Sequence, residues 1–326
     1  MPCFTPLKGF KSASLTKSGK HTLVFDSSRA LANGLIKGTE LTVPCGQCIG
    51  CRLERGRQWA MRCMHEAQMH KDNCFITLTY RPADLPKNAN LEMRDFQLFL
   101  KRLRVHFARQ KFDDDSFIIS DGNGIRYFGC GEYGDNFDRP HFHSILFNCD
   151  FSDKKYFKKL PSGCSIYTSD LLDKLWGKGY CSIGTVTFAS AAYVARYVLK
   201  KRNGKDSDDH YAIITKEGKR FVRSKESSVM SRRPGIAKYY YDRFKSEIYF
   251  SDSIVMEGRE MLPPRFYDIL LERENPELMF YIKHKRKISA NLRKEDNTDD
   301  RLLVKERVSM LNVVKLLRNL DKDDVI

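Results

Sequence analysis

His141-Phe142-His143-Ser144-Ile145-Leu146-Phe147 sets a hydrophobe between two histidines inside an apolar run. Side chains alternate faces along a strand, so His141 and His143 point one way while Phe142 points into the core. Two imidazoles two residues apart on a rigid strand can grip one metal ion. The preceding Ile125-Arg126-Tyr127-Phe128-Gly129-Cys130-Gly131-Glu132 also reads as a strand. Between them, residues 133–140 are rich in Gly, Asp and Asn, as a hairpin loop should be. Closing that hairpin brings Glu132 opposite the histidines as a third candidate ligand. Imidazole and carboxylate together suit a divalent ion that must hold phosphate oxygens and water.

Working outward, Cys74-Phe75-Ile76-Thr77-Leu78-Thr79-Tyr80 is β-rich and is stopped by Arg81-Pro82. Residues 93–107 form an amphipathic helix with Phe96, Phe99, Leu100, Leu103 and Phe107 on one side. Residues 169–176 read as a helix, 180–187 as a strand and 190–202 as a helix. This order predicts an α+β fold with a central antiparallel sheet covered by helices. Three regions are expected. Residues 1–72 are a Cys-rich N-terminal region ending in a helix from about Arg52 to His70, residues 73–202 the central domain, and residues 203–326 a mostly helical accessory region. The last opens on a polar linker at 203–209 and carries helices near 264–285 and 300–320.

With 326 residues, the chain is long enough to bury a full core. Hydrophobic residues make up 41%, with 21 Phe and 15 Tyr, as in a globular protein. A net charge of +16 points to a polyanionic partner. The cations cluster at Arg52, Arg55, Arg57 and Arg62, at Lys101, Arg102, Arg104 and Arg109, and at Arg196, Lys200, Lys201, Arg202 and Lys205. The opening Met1-Pro2-Cys3-Phe4-Thr5-Pro6 lacks the basic and apolar segments of a signal peptide, and no apolar run reaches the length of a membrane span. The ten cysteines are therefore expected to be reduced thiols in a cytosolic setting.

Two further constellations carry chemistry. On residues 191–201 at 100° per residue, Tyr193, Arg196, Tyr197, Lys200 and Lys201 share one face, and Ala191, Ala192, Val194, Ala195, Val198 and Leu199 the other. The apolar face is expected to pack on the sheet, with the tyrosines and cations looking outward. A phenol has a pKa of about 10, so neighbouring cations and a metal help it act as phenolate. Two amphipathic tyrosines snorkelling at a core edge are the plainer reading. The second constellation, Cys45-Gly46-Gln47-Cys48-Ile49-Gly50-Cys51, contains two overlapping Cys-x-x-Cys knuckles and suggests a structural zinc. Its fourth ligand must come from elsewhere, and Cys3 and Cys63 are available.

Residues 75–80, Gly131-Glu132 with Arg139-Pro140-His141-Phe142-His143, and the tyrosine helix at 192–200 stand in the order of the three motifs of HUH-type rolling-circle replication initiators. The chain resembles most the initiators of gokushoviruses, small single-stranded DNA phages of the microvirus family. The likeness spans roughly residues 1–285, the cysteine run and Ser231-Arg232-Arg233-Pro234-Gly235 included.

The resemblance implies an HUH endonuclease fold over 73–202. It makes Glu132, His141 and His143 ligands of Mg²⁺ or Mn²⁺, Tyr193 and Tyr197 the nucleophiles, and Lys200 a catalytic neighbour. Arg196, Lys201 and Arg202 are expected on the DNA, with Tyr197, beside Lys200, the more sensitive tyrosine. The implied activity is site-specific nicking and rejoining of single-stranded origin DNA in rolling-circle replication, in the cytoplasm of an infected bacterial host. No phosphate-binding Gly-x-x-x-x-Gly-Lys-Ser/Thr loop is present, so helicase and polymerase are expected from the host. The competing readings are a non-catalytic zinc-containing protein that binds single strands, and an HUH transposase or relaxase.

Overall fold

The computed structural model describes residues 3–16, 19, 21–25, 36, 39–113, 124–134, 137–161, 163–200, 207–215 and 217–320. Side chains at 109–113, 195–200 and 315–320 lie outside that description. The chain divides into two units, Met1–Arg55 with Tyr281–Ile326, and Gly56–Phe280.

In the first unit, β1 (Leu7–Leu15) pairs antiparallel with β2 (His21–Val24) on one side and β3 (Leu41–Val43) on the other. The cysteine turn follows β3 and leads into α1 (Ile49–Gln68).

Among its described residues, the second unit is built on a seven-stranded sheet. In chain order its strands are β4 (Asn73–Thr79), β5 (Arg126–Tyr133), β6 (Pro140–Phe147), β7 (Lys155–Lys159), β8 (Ser165–Thr168), β9 (Cys181–Gly184) and β12 (Ser227–Met230). They lie side by side as β12-β5-β6-β4-β9-β8-β7, every neighbouring pair antiparallel. The ribbons β10 (Ala212–Ile214) with β11 (Arg220–Val222), and β13 (Ile254–Met256) with β14 (Arg259–Met261), stand apart from it. The helices after α1 are α2 (Met93–Asp113), α3 (Asp170–Trp176), α4 (Phe188–Lys200), α5 (Ser207–Tyr211), α6 (Lys238–Ser251) and α7 (Arg265–Glu274), then α8 (Pro276–Asn291) and α9 (Asp299–Leu320). No helix among the described residues is long and apolar enough to cross a membrane.

One face of the sheet carries the main core. Ile76, Leu78, Phe142 and Leu146 are buried there with Phe96, Phe99, Leu100 and Leu103 of α2 and Leu172 and Trp176 of α3. The Phe142 ring stacks on Phe96 at 5.3 Å and meets the Trp176 ring edge-on at 5.8 Å. Burying one such ring contributes about 2–3 kcal/mol. Ser169 caps α3 by accepting the Leu172 amide at 3.0 Å. The loop after α3 clasps the end of β4, with the Trp176 indole donating to the Thr79 carbonyl at 2.7 Å. A Cβ at Gly179 would lie 2.2 Å from the Thr79 carbonyl oxygen, so only glycine permits this approach.

The opposite face, which carries Phe128, Glu132, His141 and His143, is covered differently. Trp59 of α1 stacks on Phe128 at 4.7 Å, and Ala191 and Val194 of α4 are fully buried.

The antiparallel α+β architecture, the Cys-rich start and the helical end match the sequence reading. The expected polar linker at 203–209 does not hold in its second half, where 207–211 form α5 with Ser207 buried; residues 203–206 lie outside the described residues. The strand expected over 180–187 is cut to Cys181–Gly184, because beyond Gly184 the chain turns into α4.

His65 of α1 is buried, with Nδ1 2.7 Å from the Tyr267 hydroxyl and its ring stacked 3.8 Å from Tyr240. Burial lowers its pKa from 6.5 to about 3. The unfolded chain therefore binds a proton here that the folded chain refuses. Stability is unaffected by this group above pH 6.5 and falls as the pH drops from 6.5 toward 3, by up to about 1.4 kcal/mol per pH unit. Urea midpoints measured from pH 7 to pH 5 should fall less steeply for His65→Gln than for the wild type.

Candidate active site

The β5–β6 register sets Glu132 directly opposite His141, and His143 lies two residues further along the same face. The Glu132 Oε1 atom is 2.7 Å from His141 Nε2 and 2.9 Å from His143 Nε2. The two imidazole planes stand at 89° to each other, both tipped toward the carboxylate. Each ring is held from behind. His141 Nδ1 donates to the Arg139 carbonyl at 3.0 Å, which makes Nε2 the ring atom turned to Glu132 and the one that would meet a metal. His143 Nδ1 is 2.9 Å from Thr77 Oγ1, on the strand partner β4.

Glu132 is 1% exposed. Burial pushes its carboxyl up, but the hydrogen bonds and charges of His141 and His143 outweigh this and hold it below the usual range. An ionised carboxylate and two imidazoles, with their ligating atoms all within 4.8 Å of one another, form a donor set that fits a divalent cation. The Nδ1 partners are the outer contacts that such ligands need.

Helix α4 brings Tyr193 to this cluster. Its entry is fixed by a reciprocal cap. The Ser190 amide donates to Thr187 Oγ1 at 3.1 Å, and the Thr187 amide donates to Ser190 Oγ at 2.8 Å. The Tyr193 ring meets the His143 ring edge-on at 5.1 Å and the Phe75 ring at 6.3 Å. Tyr193 thus turns toward the sheet and not outward as the helical wheel suggested. It lies 100° round from buried Val194, at the border of the packed stripe, where a long side chain reaches the sheet. Tyr197, Arg196 and Lys200 fall on α4, but their side chains lie outside the description; Lys201 and Arg202 lie wholly outside the described residues.

The first unit carries a second group of metal-type ligands. Cys3, Cys45, Cys48 and Cys51 bring their sulfurs within 4.8 Å of one another, and Cys3, not Cys63, completes the set. Cys63 is buried in the other unit, where burial drives its thiol up. Gly46 turns the knuckle at φ +74°, a conformation that favours glycine. Amides point at the sulfurs: Cys45 N to Cys3 Sγ at 3.2 Å, Cys48 N to Cys45 Sγ at 3.2 Å and Phe4 N to Cys48 Sγ at 3.4 Å. Burial raises the Cys45 thiol, but the Thr5 hydroxyl and the Cys48 and Gln47 amides bring it down to about 6. At Cys45 such donors favour the thiolate, the form that binds soft metals, whereas burial pushes the Cys51 thiol up to about 12.

A family model described as replication-associated protein ORF2/G2P matches residues 73–202. The replication-associated protein VP4 of Bdellovibrio phage phiMH2K is 32% identical over 308 residues, which span 92% of this chain and 88% of that protein. The chain belongs to this family of phage replication-associated proteins. Another member, the replication-associated protein ORF2 of Spiroplasma virus 4, is 32% identical over 75% of this chain and 73% of its own length. The replication-associated protein ORF4 of Chlamydia phage 1 is 28% identical over 73% of this chain and 55% of its own length. No solved structure matches this chain.

Thr77 and Phe75 belong to the site; the sequence reading placed them in the 75–80 motif but gave neither a role of its own. Their signal was the alternation Phe75, Thr77, Thr79 on the strand that would neighbour the histidines, readable only once the strand order is known. Replacing Thr77 by Val keeps the shape and removes the oxygen behind His143. Mn²⁺ titration followed by calorimetry should show affinity weakened about tenfold or more, with an unchanged melting temperature.

Proposed function

We propose that this chain initiates rolling-circle replication by cutting single-stranded origin DNA through a tyrosyl phosphate and later rejoining it. The observation that carries the reading is the Tyr193 ring, set 5.1 Å from His143, itself one of three convergent metal-type ligands. The family supports it, since its named members are replication-associated proteins of phages.

In this reading Glu132, His141 and His143 hold Mg²⁺ or Mn²⁺, which supplies Lewis-acid polarisation of the scissile phosphate. The oxygen of Tyr193 or Tyr197 attacks phosphorus in line, and its proton passes to water. The bond from phosphorus to the 3′ oxygen breaks, and that oxygen takes up a proton. The products are a 5′-phosphotyrosine and a free 3′-OH that primes synthesis. Lys200 supports the phenolate, while Arg196, Lys201 and Arg202 neutralise the phosphates. Joining reverses the step: a 3′-OH attacks the phosphotyrosine and the phenol leaves, so no ATP is consumed. Two tyrosines let the second cut the regenerated origin while the first remains attached. Unwinding and synthesis fall to a helicase and polymerase of the bacterial host, in whose cytoplasm the protein works.

The cysteine cluster serves as a structural zinc site in the same proposal, since four converging sulfurs leave no position open for a reactant. Elemental analysis of protein purified without chelators should find about one zinc per chain, lost in Cys48→Ser. A zinc-free wild type would remove this part.

The catalytic step is tested with labelled single-stranded oligonucleotides tiling the encoding genome, incubated with Mn²⁺ and run on a denaturing gel. A covalent adduct is expected. Tyr193→Phe should lower its rate by about 100-fold or more, and the double variant with Tyr197→Phe should form none. An undiminished adduct in the double variant would overturn the tyrosine assignment.

A further inference from the structure

The loop at residues 231–237, between β12 and α6, is anchored with unusual thoroughness for a surface turn. Ser231 closes a pair of hydrogen bonds with Tyr127 of β5, its amide to the carbonyl at 3.0 Å and the Tyr127 amide to its Oγ at 3.2 Å. The Pro234 carbonyl accepts from Arg126 Nη2 at 2.9 Å. The Ile236 carbonyl accepts from Arg62 Nε at 3.2 Å and Nη2 at 3.0 Å. The Ala237 amide donates to the buried Glu66 carboxylate, which also pairs with Arg126. Arg62 is itself clamped between the rings of Trp59 and Phe266, at 4.1 Å and 3.9 Å.

All of this fixes the backbone, and none of it involves the side chains at the tip. Arg232 and Arg233 are exposed, and among the described residues they make no hydrogen bond, ion pair or ring contact. Two adjacent guanidinium groups repel each other, and among the described residues neither is set against a carboxylate in the way that the exposed Arg220 is against Asp209 at 2.5 Å. Buried ion pairs such as Glu66–Arg126 are costly to build and of little net value for stability. Here one fixes the backbone of a turn that carries two guanidinium groups with no partner among the described residues. Guanidinium forks carried on a fixed backbone suit phosphate oxygens.

The placement relative to the candidate active site is also defined. Arg126 and Glu132 are six residues apart on β5, hence on the same face. At about 3.3 Å per residue, the Arg126 end of the strand, where the loop is pinned, lies about 20 Å from the metal-type cluster.

We propose that Arg232 and Arg233 form a phosphate clamp that grips the backbone of a single nucleic-acid strand about 20 Å from Glu132 along β5. The clamp rests on the function proposed above for the identity of its ligand, and it adds a fixed second grip that sets how the strand lies relative to the cutting site. It reads no bases, because exposed guanidinium groups on a turn reach phosphates without entering a groove.

The test is fluorescence anisotropy of full-length protein on a labelled single-stranded oligonucleotide over 50–200 mM salt. Each phosphate contact on a single strand contributes about 0.7 to the slope of log affinity against log salt. The Arg232→Gln, Arg233→Gln double variant should lose about 1.4 of that slope and bind roughly tenfold more weakly at low salt. Each single variant should lose about half as much. Arg220→Gln removes one already paired cation and controls for net charge; its slope should match the wild type. A double variant with the wild-type slope and melting temperature overturns the clamp. An equal loss in Arg220→Gln overturns it too, by reducing the effect to overall charge. The wild-type adduct assay separates this from the catalytic reading. Adduct formation with an unchanged double-variant slope removes the clamp alone, whereas a reduced slope without any adduct removes the catalysis and leaves the clamp.

Discussion

The chemistry of this chain rests on one backbone register, Glu132 against His141 across β5 and β6. A slip of one residue would turn both histidines into the α2 side of the sheet and expose Phe142. Three features prevent it. Phe142 is wedged between Phe96, Trp176 and Tyr80. Neither strand is an edge, since β12 covers β5 and β4 covers β6. The loop between them is short and closed by the Gly134 amide on the Arg139 carbonyl at 3.0 Å. That same carbonyl accepts from His141 Nδ1, so the turn that fixes the register also orients the first histidine.

A second constraint runs through Glu66. Burial pushes its carboxyl up, yet His70, the Arg126 charge and the Ala237 amide together hold it down and ionised. One carboxylate thereby ties α1, β5 and the loop before α6 into a single body. Removing one member of such a set costs about 3–5 kcal/mol, because it strands a charge out of water. The face of the sheet opposite the main core is thus organised by polar contacts, while the α2 side is organised by ring packing.

Where the sequence was legible, the signal was long and periodic. The α2 stripe from Phe96 to Leu103, the alternation in β4 to β6 and the four-residue tyrosine spacing all carry a repeat that only one element satisfies. The metal-type cluster could be read because an antiparallel hairpin dictates which side chains oppose. What escaped was short or depended on remote partners. Strands β7, β8 and β12 have four or five residues, too few to show a period. β12 joins the sheet beside β5 almost a hundred positions later in the chain, a pairing no local pattern announces. The turn of Tyr193 toward His143 was hidden for another reason. A helical wheel assigns a side, but a tyrosine at the border of that side is long enough to reach the other.

The reciprocal cap between Thr187 and Ser190 gives α4 a fastened end and makes the helix a lever. At 1.5 Å per residue, position 193 stands about 9 Å from the cap and position 197 about 15 Å. Any rocking of the helix about that end carries the farther tyrosine through an arc about two-thirds longer than the nearer one. Position 193 is therefore the one nearer the fastened end of the helix backbone. The cap thus sets the radius at which each position stands from the fastened end of the helix backbone, shorter at 193, where the side chain meets the metal-type cluster, than at 197.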